Sequence, residues 1–308
     1  MNPPNLMSGV LAPVITPFHD DLSVDADALL QQCRWLLSQN VGLAVFGTNS
    51  EANSLSVDEK VELLEALVAG GIDAGRMMPG TGCCALPDTV ALTRAALRLG
   101  CSGTLMLPPF YYKGVSDDGL YRSYAEVIER TGDARLRIYL YHIPPVAQVG
   151  LSLSLIERLL RDYPGVIAGI KDSSGNWSNT AAMHERDWDD FRIFVGSETL
   201  LLANMRAGGA GCISATANVN PAAIDNLYRS WQAAEAEAKQ ESLTGLRGIV
   251  QKYPMIPALK AIAGHFSGKP AWRTVRPPLV ALPDSQGNEL MAALDAEGFS
   301  MPGLPGGD

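Results

Sequence analysis

The sequence predicts an α/β chain closed into a (β/α)8 TIM barrel with an appended C-terminal helical segment, and three observations carry that expectation. Eight short, almost continuously apolar runs recur between residues 10 and 218, as parallel strands buried on both faces should. Amphipathic stretches with apolar residues three and four apart fill the gaps between them. An open doubly wound sheet would show a glycine-rich phosphate turn after its first strand, and PVITPFHDD is not one. The 308 residues, 47% hydrophobic and 19% charged, suit one large α/β domain or two smaller ones.

Taken in order, the strand-like runs are VLAPVITPF (10–18), VGLAVFGT (41–48), RMMPGTG (76–82), GTLMLPP (103–109), LRIYLYHIP (136–144), VIAGIKDSS (166–174), FRIFVGSE (191–198) and GCISATAN (211–218). Among the helices, SVDEKVELLEALVAGG opens with a capping box, Ser56 to Glu59. LPDTVALTRAALRLG, SLSLIERLLRDYP and TLLLANMRAGG end in the Gly or Pro expected of helix stops. The glycines of MRAGGAGC read as the tight turn into the eighth strand. Beyond about residue 220 the pattern is purely helical, so the barrel is expected over 1–235 and the helical segment and tail over 236–308. The terminal SMPGLPGGD is expected to fray.

The net charge of −9, with no run of Lys and Arg, excludes a nucleic-acid or acidic-membrane surface. No apolar stretch approaches the roughly 18 residues of a membrane span. The opening MNPPNLMSGV lacks a signal-peptide pattern, which points to the cytoplasm. The five cysteines, Cys33, Cys83, Cys84, Cys101 and Cys212, read as free buried thiols of a reducing compartment. The four histidines show no metal-ligand spacing, so no metal is expected.

Barrel enzymes work at the C-terminal ends of their strands, and polar residues gather there. The second run ends in Gly47, Thr48, Asn49, Ser50 and Glu51, the fourth in Phe110, Tyr111 and Tyr112. Tyr141 stands near the end of the fifth, Lys171 in the sixth, GSE ends the seventh and ISATAN the eighth. Lys171 follows the apolar VIAGI, and lysine is rarely buried without compensation. Two explanations compete: an ion pair with Asp172 or another acid at the rim, or a desolvated amine that attacks a ketone as a Schiff-base nucleophile. Tyr141, one strand earlier and at similar height, favours the second, since its hydroxyl can shuttle protons as the imine forms. The FGTNSEANSL loop reads either as a helix-capping turn or as a cradle whose backbone N–H groups and Thr48 hydroxyl hold a carboxylate.

In order and spacing, ITPF, GTNSE, GTG, PPFYYKG, YHIPP, GIKDSSG and ISATANV resemble the dihydrodipicolinate synthase/N-acetylneuraminate lyase family, class I aldolase-type barrels. The resemblance runs from about Val10 to the C-terminal helices. It implies that Lys171 forms the imine with pyruvate or another 2-oxo acid and that Tyr141 is the acid/base. It further implies that Gly47, Thr48 and Asn49 bind the 2-oxo carboxylate. Thr48 would relay protons between Tyr141 and a Tyr111 supplied by a neighbouring subunit, and Ile213 matches a position whose backbone faces the imine. It implies a homotetramer built as a dimer of dimers, without cofactor. Two departures bear on the substrate. Asn49 and Ser50 replace the Thr-Gly usual in the loop. Val146 stands where dihydrodipicolinate synthases carry an arginine for the second carboxylate of the aldehyde, and an apolar side chain cannot replace a guanidinium. His142, in place of the usual asparagine, is expected to face away from the lumen. Ser173 and Gln148 are candidates for the variable half of the substrate.

The sequence therefore points to a lyase of the aldolase type acting on pyruvate and an aldehyde, or on a 2-oxo-3-deoxy or 4-hydroxy-2-oxo acid. A dehydratase or deaminase using the same imine and 4-hydroxy-tetrahydrodipicolinate synthase are alternatives. A non-catalytic 2-oxo-acid sensor is the alternative of another class.

Overall fold

A computed structural model describes residues 6–306. Its sheet has seven parallel strands: β1 (Gly9–Ala12), β2 (Gly42–Leu43), β3 (Thr104–Met106), β4 (Ile138–His142), β5 (Ile167–Asp172), β6 (Arg192–Val195) and β7 (Gly211–Ile213). Their order is β2-β1-β7-β6-β5-β4-β3. The third predicted strand is not a ladder. Residues 76–82 lie between the two edges of the sheet, bridged to Leu43 and Leu105. The Met78 and Gly80 N–H groups donate to the Leu43 and Val45 carbonyls, the Leu105 N–H donates to the Pro79 carbonyl and the Thr81 N–H to that of Leu105. The reason is local. Pro79 has no N–H to give a ladder, and a Cβ on Gly80 would lie 2.1 Å from the Phe46 carbonyl oxygen. The segment therefore joins the two edges by short pairings and not by a continuous ladder, so the ring is not closed by regular strands throughout. The architecture is otherwise that of the TIM-barrel fold.

Helices α1 (Ala26–Ser38), α2 (Val57–Ala69), α3 (Leu86–Leu99), α4 (Asp117–Thr131), α5 (Pro144–Ala147), α6 (Leu153–Asp162), α7 (Trp177–His184), α8 (Leu201–Arg206) and α9 (Pro221–Arg229) pack around the sheet. The capping box of α2 is present, with the Glu59 N–H donating to Ser56 and the Ser56 N–H to Glu59. After α9 come α10 (Ala236–Val250), α11 (Met255–Phe266) and α12 (Asp284–Ala296). Leu243, Val250, Leu259, Ile262, Leu290 and Leu294 share one apolar core with Val10, Leu36 and Leu64 of the sheet and its first helices. The tail does not fray over its described part: Met301 and Leu304 are buried, and the Trp35 indole donates to the Pro302 carbonyl. Burial of two apolar side chains, about 1.5–3 kcal/mol each, outweighs the entropy that composition alone suggested.

Two layers of side chains fix which face of each strand looks inward. Leu11, Leu105, Tyr139, Tyr141, Ala168, Phe194 and Ile213 form the luminal cluster, with Tyr139 and Phe194 edge-to-face. Ile138, Leu140, Ile170 and Ile193 face the helices. In β4 the alternation puts Tyr141 on the luminal side and His142 on the other, as expected. In β5 a bulge at Ala168, between the Ile138–Ile167 and Tyr139–Gly169 pairs, resets the alternation so that Lys171 faces inward opposite Tyr141. His142 is buried and accepts the Leu151 N–H at Nδ1. No helix of the described residues is long and apolar enough to cross a membrane, and no metal-holding cluster occurs among them. The cysteines are all free; Cys33 and Cys212 are buried, whereas Cys84 is exposed, contrary to expectation.

Candidate active site

Strands β4 and β5 pair with Tyr141 directly opposite Lys171. Register therefore delivers the two groups to the same height, with the Lys171 amine donating to the Tyr141 hydroxyl at 3.2 Å and lying 4.3 Å from its ring centroid. The Tyr141 oxygen is in turn 3.1 Å from the Thr48 hydroxyl. Lys171 is 2% exposed. The rim ion pair is ruled out by where Asp172 goes: its carboxylate accepts from the Ser174 N–H, Asn179 and Thr180. Among the described residues no carboxylate lies within ion-pair distance of Lys171. A buried amine whose polar neighbour is a hydroxyl is the environment that a nucleophilic lysine needs.

Thr48, Asn49 and Ser50 form one 3-10 turn capped by an extended Gly47 and a left-handed Glu51 (φ 54°), with a second positive φ, 62°, at Phe46 just before it. Such backbone costs on the order of 1–3 kcal/mol per residue and needs outside support. At Glu51 the support is an ion pair with Lys260 of α11 at 2.5 Å, both side chains fully buried, and the Arg276 N–H at 2.9 Å. The Gly47 N–H already donates to the Ser50 hydroxyl at 3.1 Å. Gly47 therefore shapes the loop, and the first N–H groups of the turn, those of Thr48 and Asn49, have no intrahelical acceptor. Thr48 and Asn49, not Gly47, line the cavity above Lys171.

That cavity holds about 420 Å³ and is also walled by Tyr141, Ile143, Val146, Ser173, Ser197, Leu200, Ala215, Arg247, Met255 and Leu279. Ser173 takes its place because residue 196 is glycine; a Cβ there would sit 2.0 Å from the Ser173 hydroxyl oxygen. Ile213 fills the lumen beneath the site. Two predicted residues are not brought in. Gln148, left-handed at φ 54° where it caps α5, is exposed and outside the cavity wall. Tyr111 is 74% exposed beside Tyr112, their rings 5.4 Å apart, and makes no contact with Thr48 within one chain.

Three features escaped sequence reasoning. Arg247, from α10, reaches the cavity and donates to Glu198 at 3.1 Å and to Ser214 at 3.3 Å. Glu198, 1% exposed, also accepts the hydroxyls of Ser214 and Thr216. Glu51 and Lys260 form the pair just described. Glu198 was visible as the acid of GSE, but no local pattern marks Arg247, which lies well beyond the eighth run in an ordinary amphipathic helix.

The model of the dihydrodipicolinate synthetase family matches residues 6–297. The chain belongs to that family. A DapA-like lyase of Chloroflexus aurantiacus is 33% identical over 291 residues, covering 94% of this chain and 95% of that protein. A 4-hydroxy-tetrahydrodipicolinate synthase of Laribacter hongkongensis is 27% identical, with 94% and 99% covered. Among solved structures, dihydrodipicolinate synthase from Agrobacterium tumefaciens superposes with a TM-score of 0.86 at 34% identity, covering 94% of this chain and 98% of that one. A variant of the Sulfolobus solfataricus 2-keto-3-deoxygluconate aldolase reaches 0.84 at 20% identity, with 94% and 95% covered, and shares the fold.

Proposed function

We propose that this family member is a Schiff-base lyase of the aldolase type, with pyruvate or a related 2-oxo acid as one partner and an aldehyde as the other. The observation that carries the reading is the Lys171 amine, buried without a carboxylate and 3.2 Å from a tyrosine hydroxyl at the floor of a cavity. The neutral amine adds to the C2 carbonyl of the 2-oxo acid, and loss of water gives the protonated imine. The Tyr141 hydroxyl carries the protons of addition and dehydration, and Thr48 passes them on. The imine draws the electrons of C3 toward nitrogen once a C3 proton leaves, forming an enamine. Its C3 then attacks the aldehyde carbon, forming one C–C bond while the carbonyl oxygen takes a proton; water finally releases the product from Lys171. Cleavage of a 4-hydroxy-2-oxo acid is the same path reversed. The N–H groups of Thr48 and Asn49 hold the 2-oxo carboxylate.

Several finer points belong to the same reading. The bridges of residues 76–82 stand for the eighth strand of a closed barrel, with residues 236–308 as its helical extension. The exposed Tyr111–Tyr112 pair fits an interface, from which Tyr111 of a second copy completes the relay in a homotetramer. A 2-oxo-3-deoxy or 4-hydroxy-2-oxo acid is the preferred substrate class. Dihydrodipicolinate synthesis is the second reading, favoured by the name of the A. tumefaciens structure and disfavoured by Val146 at the cavity wall.

The test is borohydride reduction with pyruvate, followed by intact mass and peptide mapping. A pyruvate-derived adduct on Lys171, absent from Lys171→Ala, supports the imine. No adduct with pyruvate or larger 2-oxo acids would sink it and leave the chain as a ligand sensor or a barrel without this chemistry.

A further inference from the structure

The cations of the cavity wall are Lys171 and Arg247. On the imine reading, which this inference rests on, Lys171 is consumed by the 2-oxo carbon and the loop N–H groups take the 2-oxo carboxylate. Arg247 is then the one cation left among the described wall residues for the other half of the substrate. It is not a bare charge. Its guanidinium is paired at 3.1 Å with Glu198, a carboxylate 1% exposed that also takes the hydroxyls of Ser214 and Thr216. The pair is neutral as a unit, yet it still offers a donor: Arg247 bonds Glu198 and Ser214 through Nη1, and its Nη2 makes no hydrogen bond among the described residues. The cavity wall also includes the apolar Leu200, Met255 and Leu279. Asp172, itself negative, lies at the cavity edge. A second carboxylate placed here would lose water against apolar walls without gaining an unopposed cation. A hydroxyl or carbonyl oxygen, in contrast, needs only a donor, and the unused Nη2 of Arg247 supplies one.

We propose that the Arg247–Glu198 pair is the specificity determinant for the second substrate, selecting an uncharged aldehyde that bears acceptor oxygens, a hydroxyaldehyde, over one that bears a second carboxylate. Arg247 donates to the distal oxygen of that aldehyde, and Glu198 holds the guanidinium in place while cancelling its charge. The absence of a cation at position 146 and the cancelled charge at position 247 thus have the same consequence for selectivity.

The test compares kcat/KM for pyruvate addition to glyceraldehyde, propionaldehyde and succinic semialdehyde, using the full chain. The wild type is expected to favour glyceraldehyde over succinic semialdehyde by about tenfold or more, the scale set by one hydrogen bond to a charged donor. Arg247→Met should lower the glyceraldehyde-to-propionaldehyde ratio about tenfold, mainly through KM. Glu198→Gln keeps the shape but uncovers the guanidinium, and should move the ratio of succinic semialdehyde to glyceraldehyde up by about tenfold. Wild-type preference for succinic semialdehyde, or an unmoved ratio in both variants, overturns the proposal. Pyruvate trapping on the same preparations separates the two levels. A wild type that forms no adduct fails at the imine, whereas trapping with unmoved ratios fails only the Arg247–Glu198 assignment. Should Glu198→Gln not fold, the wild-type preference and Arg247→Met still decide.

Discussion

Lys171 and Lys260 are both buried, at 2% and 0% exposure, and each amine lies 4.3 Å from an aromatic centroid, that of Tyr141 and that of Phe18. They differ in what else surrounds the amine. Lys260 meets the Glu51 carboxylate at 2.5 Å and the Thr274 carbonyl at 2.6 Å, with no room for a ligand. Burial pulls its pKa down to about 8, against the opposing pull of Glu51. Lys171 meets one hydroxyl and faces a cavity of about 420 Å³. A buried amine with a carboxylate is committed to holding the chain together, here a C-terminal helix to a strained loop. A buried amine with only a hydroxyl is committed to no ion pair in the protein, which is what the proposed imine requires. Burial alone does not distinguish a structural lysine from a reactive one; the partner does.

The comparison breaks most sharply at Lys171. Lys171→Ala should abolish both the reducible pyruvate adduct and turnover while leaving the thermal melt of a folded protein, because no ion pair is lost with it. A retained adduct on another lysine would end the assignment. Tyr141→Phe keeps the ring and removes the hydroxyl, so kcat should fall by roughly 10²–10⁴, read in single-turnover imine formation; an unchanged rate would move the proton transfer elsewhere.

At the other lysine the loss should appear in stability. Lys260→Met strands the buried Glu51 charge and should destabilise by about 3–5 kcal/mol in denaturant unfolding. The double variant Lys260→Met/Glu51→Gln should recover part of that, since no charge is then left unpaired. If the single variant is as stable as wild type, the pair does not hold the loop.

The smallest effect concerns the strand that carries Tyr141. The pKa of His142, on the outward face beside it, is lowered by burial, partly offset by the negative Asp172. Below about pH 6.5 the unfolded chain therefore binds more protons than the folded one, so stability falls on acidification through the window between the lowered value and the ordinary one. His142→Asn should flatten that part of the Tm–pH curve. A slope identical in the two proteins would show that His142 does not titrate on unfolding.

Lys171, Tyr141 and Thr48 were legible in the sequence because each belongs to a strand end. Parallel pairing in a barrel sets neighbouring strand ends at one height, so three short runs suffice to predict a cluster. The third run is placed between the right neighbours but is less regular than its apolar character suggested: it meets β2 and β3 by short pairings, and Pro79 has no N–H to extend them into a ladder. The tail was misread, since glycine and proline composition does not reveal that Met301 and Leu304 find a core.

The sequence by itself determined the α/β class, the inward alternation of Tyr141 against His142 and the lysine at the floor of the site, all properties of local periodicity. The tertiary structure alone decided that Glu51 meets Lys260 across 209 residues and that Arg247 meets Glu198 across 49. Pairings at such separations leave no mark in local pattern, because what brings the partners together is the packing of a C-terminal helical layer over the barrel mouth. That layer supports the site loop through Lys260 and brings Arg247 to the cavity wall.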